Sequence, residues 1–208
     1  MNTLISTSLE KSLTYPEYRA LVSRLLTQGL STGPEQSEAL TKYSELNEVR
    51  MNRLDKTIVV GEEINQALSS LKGDYIWLVI SEGWCGDAAQ IVPVLHKMTE
   101  SNSKISMKVV LRDEHVKLMD QFLTHGARAI PKLLILNSEN LEVMATWGPR
   151  PGGAAQLIKD YKEVHGVVDE TAKTNLQKWY LQDKGQSIMN ELVQIMTAVD
   201  TQPVTEAV

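Results

Sequence analysis

Apolar positions recur along this chain in two rhythms. Tyr15-Pro16-Glu17 opens a stretch in which Tyr18, Leu21, Val22, Leu25 and Leu26 repeat at helical spacing until Gly29, the pattern of an amphipathic helix ending on glycine. After a linker from Leu30 to Gly33, Pro34 stands where a helix tolerates proline, in its first turn. Leu40, Tyr43, Leu46, Val49 and Leu54 carry the helical rhythm on to about Lys56. From there the pattern changes. The β-branched run Thr57 to Val60 reads as a strand, Glu62 to Leu71 as a helix, and the unbroken apolar run Tyr75 to Ile80 as a strand buried on both faces. Asp87 to about Ser101 suits a helix, Ile105 to Leu111 a strand, and Glu114 to His125 a helix that Asp113 would cap and Gly126 would end. Leu133 to Leu136 and Leu141 to Trp147 flank the polar turn Asn137-Ser138-Glu139-Asn140, as in an antiparallel hairpin. A helix is expected from Ala154 to about Val164. Glu170 to Val199 is helical with a break near Gly185, and Thr201 to Val208 reads as a frayed tail.

This order predicts an α/β fold with a mixed central sheet and helices on both faces. An N-terminal helical pair (1–55) and a C-terminal helical extension (166–208) flank the αβ domain (56–165), all as one globular unit. Lysine plus arginine number 21 and aspartate plus glutamate 26, a net charge of −5 with no basic cluster, so a nucleic-acid partner is not expected. Apolar residues at 42% and charged residues at 23% exclude a disordered chain. No segment approaches the ~18 apolar residues of a membrane span, and Met1 to Glu10 lacks a leader's basic start, so the chain reads as soluble and cytoplasmic. One cysteine rules out an intramolecular disulfide and any zinc site built from several cysteines. His96, His115, His125 and His165 show no ligand spacing with one another, and neither metal nor cofactor is expected.

That cysteine, Cys85, sits at a strand-to-helix junction in Ser81-Glu82-Gly83-Trp84-Cys85-Gly86-Asp87-Ala88. The first turn of a helix favours thiolate over thiol, although a lone cysteine after an apolar strand is more often an inert core residue. Trp84-Cys85-Gly86-Asp87-Ala88 resembles the Trp-Cys-Gly-Pro-Cys of the thioredoxin family, with Cys85 matching the nucleophile and Trp84 its neighbour. Pro93 matches the proline of that family's active-site helix, Ala129-Ile130-Pro131 its cis-proline segment, and Trp147-Gly148-Pro149 its glycine loop. The resemblance spans roughly Lys56 to Val164. With the N-terminal helices and Trp147-Gly148-Pro149-Arg150-Pro151, it narrows to a bacterial thioredoxin-like subfamily.

The resemblance implies a thioredoxin-like fold with Cys85, Trp84 and Asp87 at the reacting centre and Ile130, Pro131, Gly148 and Arg150 as a substrate-binding rim. A cis Ile130-Pro131 would turn the Ile130 backbone toward the sulfur to receive an extended peptide. Gly148 would allow a close approach of the next loop. Two departures weigh against ordinary dithiol turnover. Ala88 replaces the resolving cysteine, and Val79 occupies the place of the family's buried aspartate. Asp87 either caps the helix start or tunes the thiol, and as a negative charge it would raise the thiol pKa. Arg150 either holds a thiolate or the carboxylate of a small thiol, or is a solvated surface residue. Glu82 and Lys132 flank the rim. Met98, Met107, Met119 and Met144 fall in core patterns. The apolar set from Trp179 to Met196 faces the core or a partner, and offers a homodimer contact if it does not fold back on the sheet.

Three readings of function follow. The first is monothiol thiol-disulfide exchange through Cys85, with a protein or small-molecule thiol as resolver. The second is a non-catalytic adaptor that binds an extended peptide or partner protein. The third is a one-cysteine peroxide sensor or peroxidase.

Overall fold

The apolar run Tyr75–Ser81 forms β1, an inner strand of a four-stranded sheet ordered β2-β1-β3-β4, with β2 at Ile105–Leu111, β3 at Lys132–Asn137 and β4 at Val143–Trp147. The computed structural model describes residues 2–100 and 102–201. β1 is parallel to β2 and antiparallel to β3, which is antiparallel to β4. Successive strand residues face opposite sides, and Trp77, Leu78, Val79 and Ile80 are all fully buried, so both faces of the sheet are covered. Four helices precede β1: α1 (Asn2–Glu10), α2 (Tyr15–Thr27), α3 (Glu38–Thr57) and α4 (Glu62–Ser69). α5 (Gly86–Glu100) follows it, the single turn α6 (Val116–Met119) lies between β2 and β3, and α7 (Gly152–His165), α8 (Glu170–Asp183) and α9 (Gln186–Asp200) come after β4. The mixed sheet with added helices at both ends is as expected. The end of the predicted tail, residues 202–208, lies outside the described residues.

Several elements differ from the sequence reading, each for a local reason. The run Thr57 to Val60 is not a strand. Thr57 Oγ1 donates to the Arg53 carbonyl at 2.9 Å and the Ile58 N–H to that of Leu54, so the β-branched residues close α3 instead. Pro34 lies in the linker, and α3 starts four residues later, at Glu38, after the cap Ser37 that accepts from the Leu40 N–H. The helix expected over 114–125 shrinks to one turn. Asp113 is not its cap: its N–H donates to Glu82 Oε1 at 3.0 Å, and its carboxylate is held by Arg112. The N-terminal pair is a larger set, since α1 packs Ile5 into the core, and Leu13 then pairs with Val109 along the outer edge of β2. That pairing protects an otherwise open sheet edge.

The largest rotation concerns α3. Tyr43, Leu46 and Val49, expected to face the core, are 40%, 47% and 66% exposed. The buried stripe is Ser44, Asn47, Met51 and Leu54. Of its polar members, Asn47 reaches the loop after β1 and donates to the Gly83 carbonyl, while the Ser44 hydroxyl is buried with no partner among the described residues. The C-terminal extension folds back on the domain: α9 packs on α4, α5 and β4, and Ile188, Met189, Leu192 and Met196 are fully buried there. The apolar set offered for a dimer contact is thus largely enclosed within its own chain.

Candidate functional site

β1 ends at Ser81, and the chain turns through Glu82-Gly83-Trp84 into α5, placing Cys85 one residue before the helix. The Ala88 N–H reaches Cys85 Sγ at 3.5 Å, and Sγ donates to the Ile130 carbonyl at 3.3 Å. The Ile130-Pro131 peptide is cis, as expected, and so is Gly148-Pro149, which the sequence reading did not anticipate. Gly148 has φ +106°, and a Cβ there would lie 2.4 Å from the Pro131 carbonyl oxygen. No other residue type fits that crossing of the two loops. Pro93 stands inside α5, and Val79 is buried in β1.

The loop before the sulfur is fastened from the N-terminal helices. Thr32 Oγ1 donates to the Glu82 carboxylate and accepts from the Gly83 N–H at 2.8 Å, while Asn47 Nδ2 donates to the Gly83 carbonyl at 2.9 Å. Glu82 is therefore no rim residue. It is fully buried, and burial pushes its carboxyl up to about 7 against the opposing hydrogen bonds from Thr32 and the Asp113 N–H. Lys132 is also buried rather than at a rim, with Nζ 3.3 Å from Thr124 Oγ1.

The Asp87 carboxylate does not cap α5, nor does it stand free beside the sulfur. Arg150 donates to its Oδ2 from Nε at 2.9 Å and Nη2 at 2.7 Å, and Tyr180 donates to its Oδ1 at 2.9 Å. Arg150 is carried by a loop that α9 pins down. Glu191 accepts from Trp147 Nε1 and from the Gly152 N–H, both at 2.7 Å. The arginine expected to hold a thiolate thus spends its fork on Asp87.

The state of the sulfur follows. Cys85 is 9% exposed. Burial, then the nearby charge of Asp87, push its thiol up to about 12, against the N–H groups of Ala88 and Asp87 and the charge of Arg150. The expectation that the helix terminus would favour thiolate is overturned: the terminal N–H groups act in the predicted direction, but desolvation of the anion outweighs them.

Cys85 nevertheless borders a cavity of about 590 Å³. One wall is the exposed apolar face of α3, with Leu40, Tyr43, Leu46 and Arg50. The opposite wall is α8, with Lys173, Leu176 and Gln177. Trp84, Asp87 and Arg150 complete the sulfur side, and Arg112 stacks on the Trp84 ring at 4.7 Å. Ile130, Pro131 and Gly148 do not line this cavity. Ile130 is 6% exposed with its carbonyl engaged by the thiol, so the rim expected to receive a guest strand is closed at that point. Sequence reasoning missed Thr32, Asn47, Arg50 and Gln177, and placed Tyr180 only as core- or partner-facing. Asn47 had left a signal, a polar residue in register with Met51 and Leu54.

The remaining candidates are structural. His96 stacks on Tyr15 with ring centres 4.3 Å apart, and His115 Nδ1 lies 3.0 Å from the Leu111 carbonyl. Met98, Met107 and Met119 are buried, as expected of core. Among the described residues no cluster of His, Cys, Asp and Glu is arranged to hold a metal ion, and no helix is long and apolar enough to cross a membrane.

Comparison with known proteins agrees with this architecture. A protein of unknown function from Pseudomonas aeruginosa, PA1234, superposes with a TM-score of 0.57 at 16% identity, covering 89% of this chain and 98% of that one. An HIV epitope-scaffold gives 0.56 at 15% identity, over 89% of this chain and 99% of its own. Both likenesses concern the fold alone. No curated protein matches the sequence. A thioredoxin profile, Thioredoxin_9, matches residues 33–162, from the linker before α3 through most of α7. With that match covering well over half of its length, the chain belongs to the thioredoxin family, in a form with a single cysteine.

Proposed function

We propose that this protein is a thioredoxin-fold binding protein whose ligand occupies the cavity beside Cys85, with the cysteine serving as a neutral thiol. The observation that carries this reading is the burial of the sulfur next to a negative charge. Thiol-disulfide exchange needs a thiolate, and a poised nucleophile has a pKa near or below the working pH. Here Arg150, whose charge acts to lower the thiol pKa, is paired with Asp87. The helical walls also favour binding. They place apolar side chains at the mouth, where solvent exposure costs free energy until a ligand covers them. The binding locus differs from the strand-receiving edge at Ile130-Pro131, because α3 and α8 narrow access to the thiol.

Monothiol exchange remains the second reading. One observation favours it: Sγ borders the cavity and already receives the Ala88 N–H, so a bound disulfide would meet it directly. Cys85 would then form a mixed disulfide, its proton passing to the departing thiolate, and an external thiol would release it. Reduction of an insulin disulfide with glutathione as resolver separates the two. Binding predicts turnover no faster than that of Cys85→Ala. Turnover clearly above that variant establishes exchange and overturns the binding reading.

A further inference from the structure

The cavity carries one cation more than it can neutralise. Arg50, Arg150 and Lys173 line it with only Asp87 and Glu170 as counter-charges, in a chain whose net charge is −5. Arg150 is paired with Asp87 and Lys173 with Glu170, at 2.7 and 2.6 Å. The surplus charge is Arg50. Its Nη1 donates to Asn47 Oδ1 at 2.8 Å, and it has no ion-pair partner among the described residues. Burial, then the neighbouring Arg53, disfavour its charge and the Asp87 carboxylate, already paired with Arg150, favours it from a distance, while an arginine does not give up its proton in a protein. A half-buried, unpaired guanidinium is a standing cost that an anion would relieve.

A second donor points to the same spot. Gln177, on the α8 wall, accepts from Gln90 Nε2 through Oε1 at 2.7 Å, which leaves its Nε2 turned toward the cavity without an acceptor among the described residues. A Cβ built on Gly86 would lie 3.6 Å from Arg50 Nη1 and 3.7 Å from Gln177 Nε2. The two donors, from opposite walls, converge on the space that Gly86 leaves open at the head of α5. Beyond it lie the apolar side chains of Leu40, Tyr43, Leu46 and Leu176.

Resting on the binding reading above, we propose that the cavity takes a small organic acid with an apolar body, its carboxylate seated between Arg50 and Gln177 over Gly86. Arg50 supplies charge-assisted hydrogen bonds, Gln177 fixes the second oxygen, and the apolar body covers the exposed face of α3. This accounts for three features together: an apolar helix face turned outward, an arginine left unpaired, and a glycine where a methyl group would intrude.

The test is a titration of the isotope-labelled protein with 4-phenylbutyrate and with its neutral amide, followed through backbone and side-chain amide resonances. Phenylbutyrate is expected to shift Gly86, Asp87 and the Gln177 side chain saturably, and to bind about tenfold or more tightly than the amide. Arg50→Gln should abolish that preference and Arg50→Lys should retain most of it. Gly86→Ala, whose methyl meets its neighbours only at ordinary contact distance, should keep the melting temperature yet lose binding. Equal affinity for the two compounds, shifts confined to another surface, no shift, or an unchanged preference in Arg50→Gln would overturn the proposal. The insulin assay is read without ligand, so an absence of phenylbutyrate binding alongside absent turnover overturns the anion seat while leaving the binding reading intact.

Discussion

The sulfur side of the cavity and its helical walls show how differently two parts of one site can be built. On the sulfur side, backbone geometry places the groups. The Ile130 carbonyl meets Sγ, the Ala88 N–H meets it from α5, and Gly148 passes against Pro131 with no room for a side chain. On the walls, long side chains place them: Asn47 and Arg50 from α3, Gln177 and Tyr180 from α8, and Glu191 from α9 behind the Arg150 loop. The backbone side carries the family markers. The walls cover the sulfur and change its chemistry, because burial and the nearby Asp87 charge push its thiol pKa up. Shared backbone geometry thus transmits the fold, while added side chains decide what the same position does.

Substitutions can break this contrast at graded depth. The largest loss is expected for Gly148→Ala, which forces a Cβ onto the Pro131 carbonyl at a positive φ; denaturant unfolding should show a destabilisation of roughly 3 kcal/mol or more. Next comes Glu82. Its carboxyl titrates near 4.5 when unfolded and about 7 when folded, so between those values the native state holds a proton that the unfolded state has released. Its contribution therefore falls as pH rises through that window, by roughly 3 kcal/mol, and is constant above it. Melting curves of Glu82→Gln, which keeps an acceptor for the Asp113 N–H, should lack that part of the pH dependence. Asn47→Ala removes the partner of the buried Gly83 carbonyl and of Arg50, for an expected loss of about 2 kcal/mol. Tyr180→Phe leaves Asp87 with Arg150 alone, and the loss should be near ~1 kcal/mol. If instead the wall substitutions outweighed Gly148→Ala, the backbone side would not be the rigid partner.

The same contrast explains what could be read from the chain. Cys85, Pro93, Ile130-Pro131 and Gly148 lie where short-range chemistry demands a residue type, so they identified the fold, and the continuous apolar run of β1 announced its burial. The orientation of α3 was not legible. Tyr43, Leu46 and Val49 make an equally regular apolar stripe, yet the helix turns Met51 and Leu54 into the core with Asn47 on the Gly83 carbonyl, contacts that are set by the tertiary fold. The same holds for 114–125, where the buried Glu82 takes the Asp113 N–H that a longer helix would have needed capped. The state of the thiol depended on how much of α3 and α8 covers it, a quantity that spacing in the chain does not encode. Asp87 had the predicted sign of influence on that thiol, while its pairing with Arg150 and Tyr180 across the fold had no local signature.

The rate of Cys85 alkylation by iodoacetamide, followed from neutral to alkaline pH in the native protein, probes the central claim most directly. A thiol held protonated by burial and by Asp87 should react slowly at neutral pH, its rate still climbing past the ordinary thiol midpoint of 9.0 without a plateau. A plateau reached below about pH 8.5 would mean an accessible, acidified thiolate, and would contradict the reading of this cavity as a binding site beside a neutral thiol.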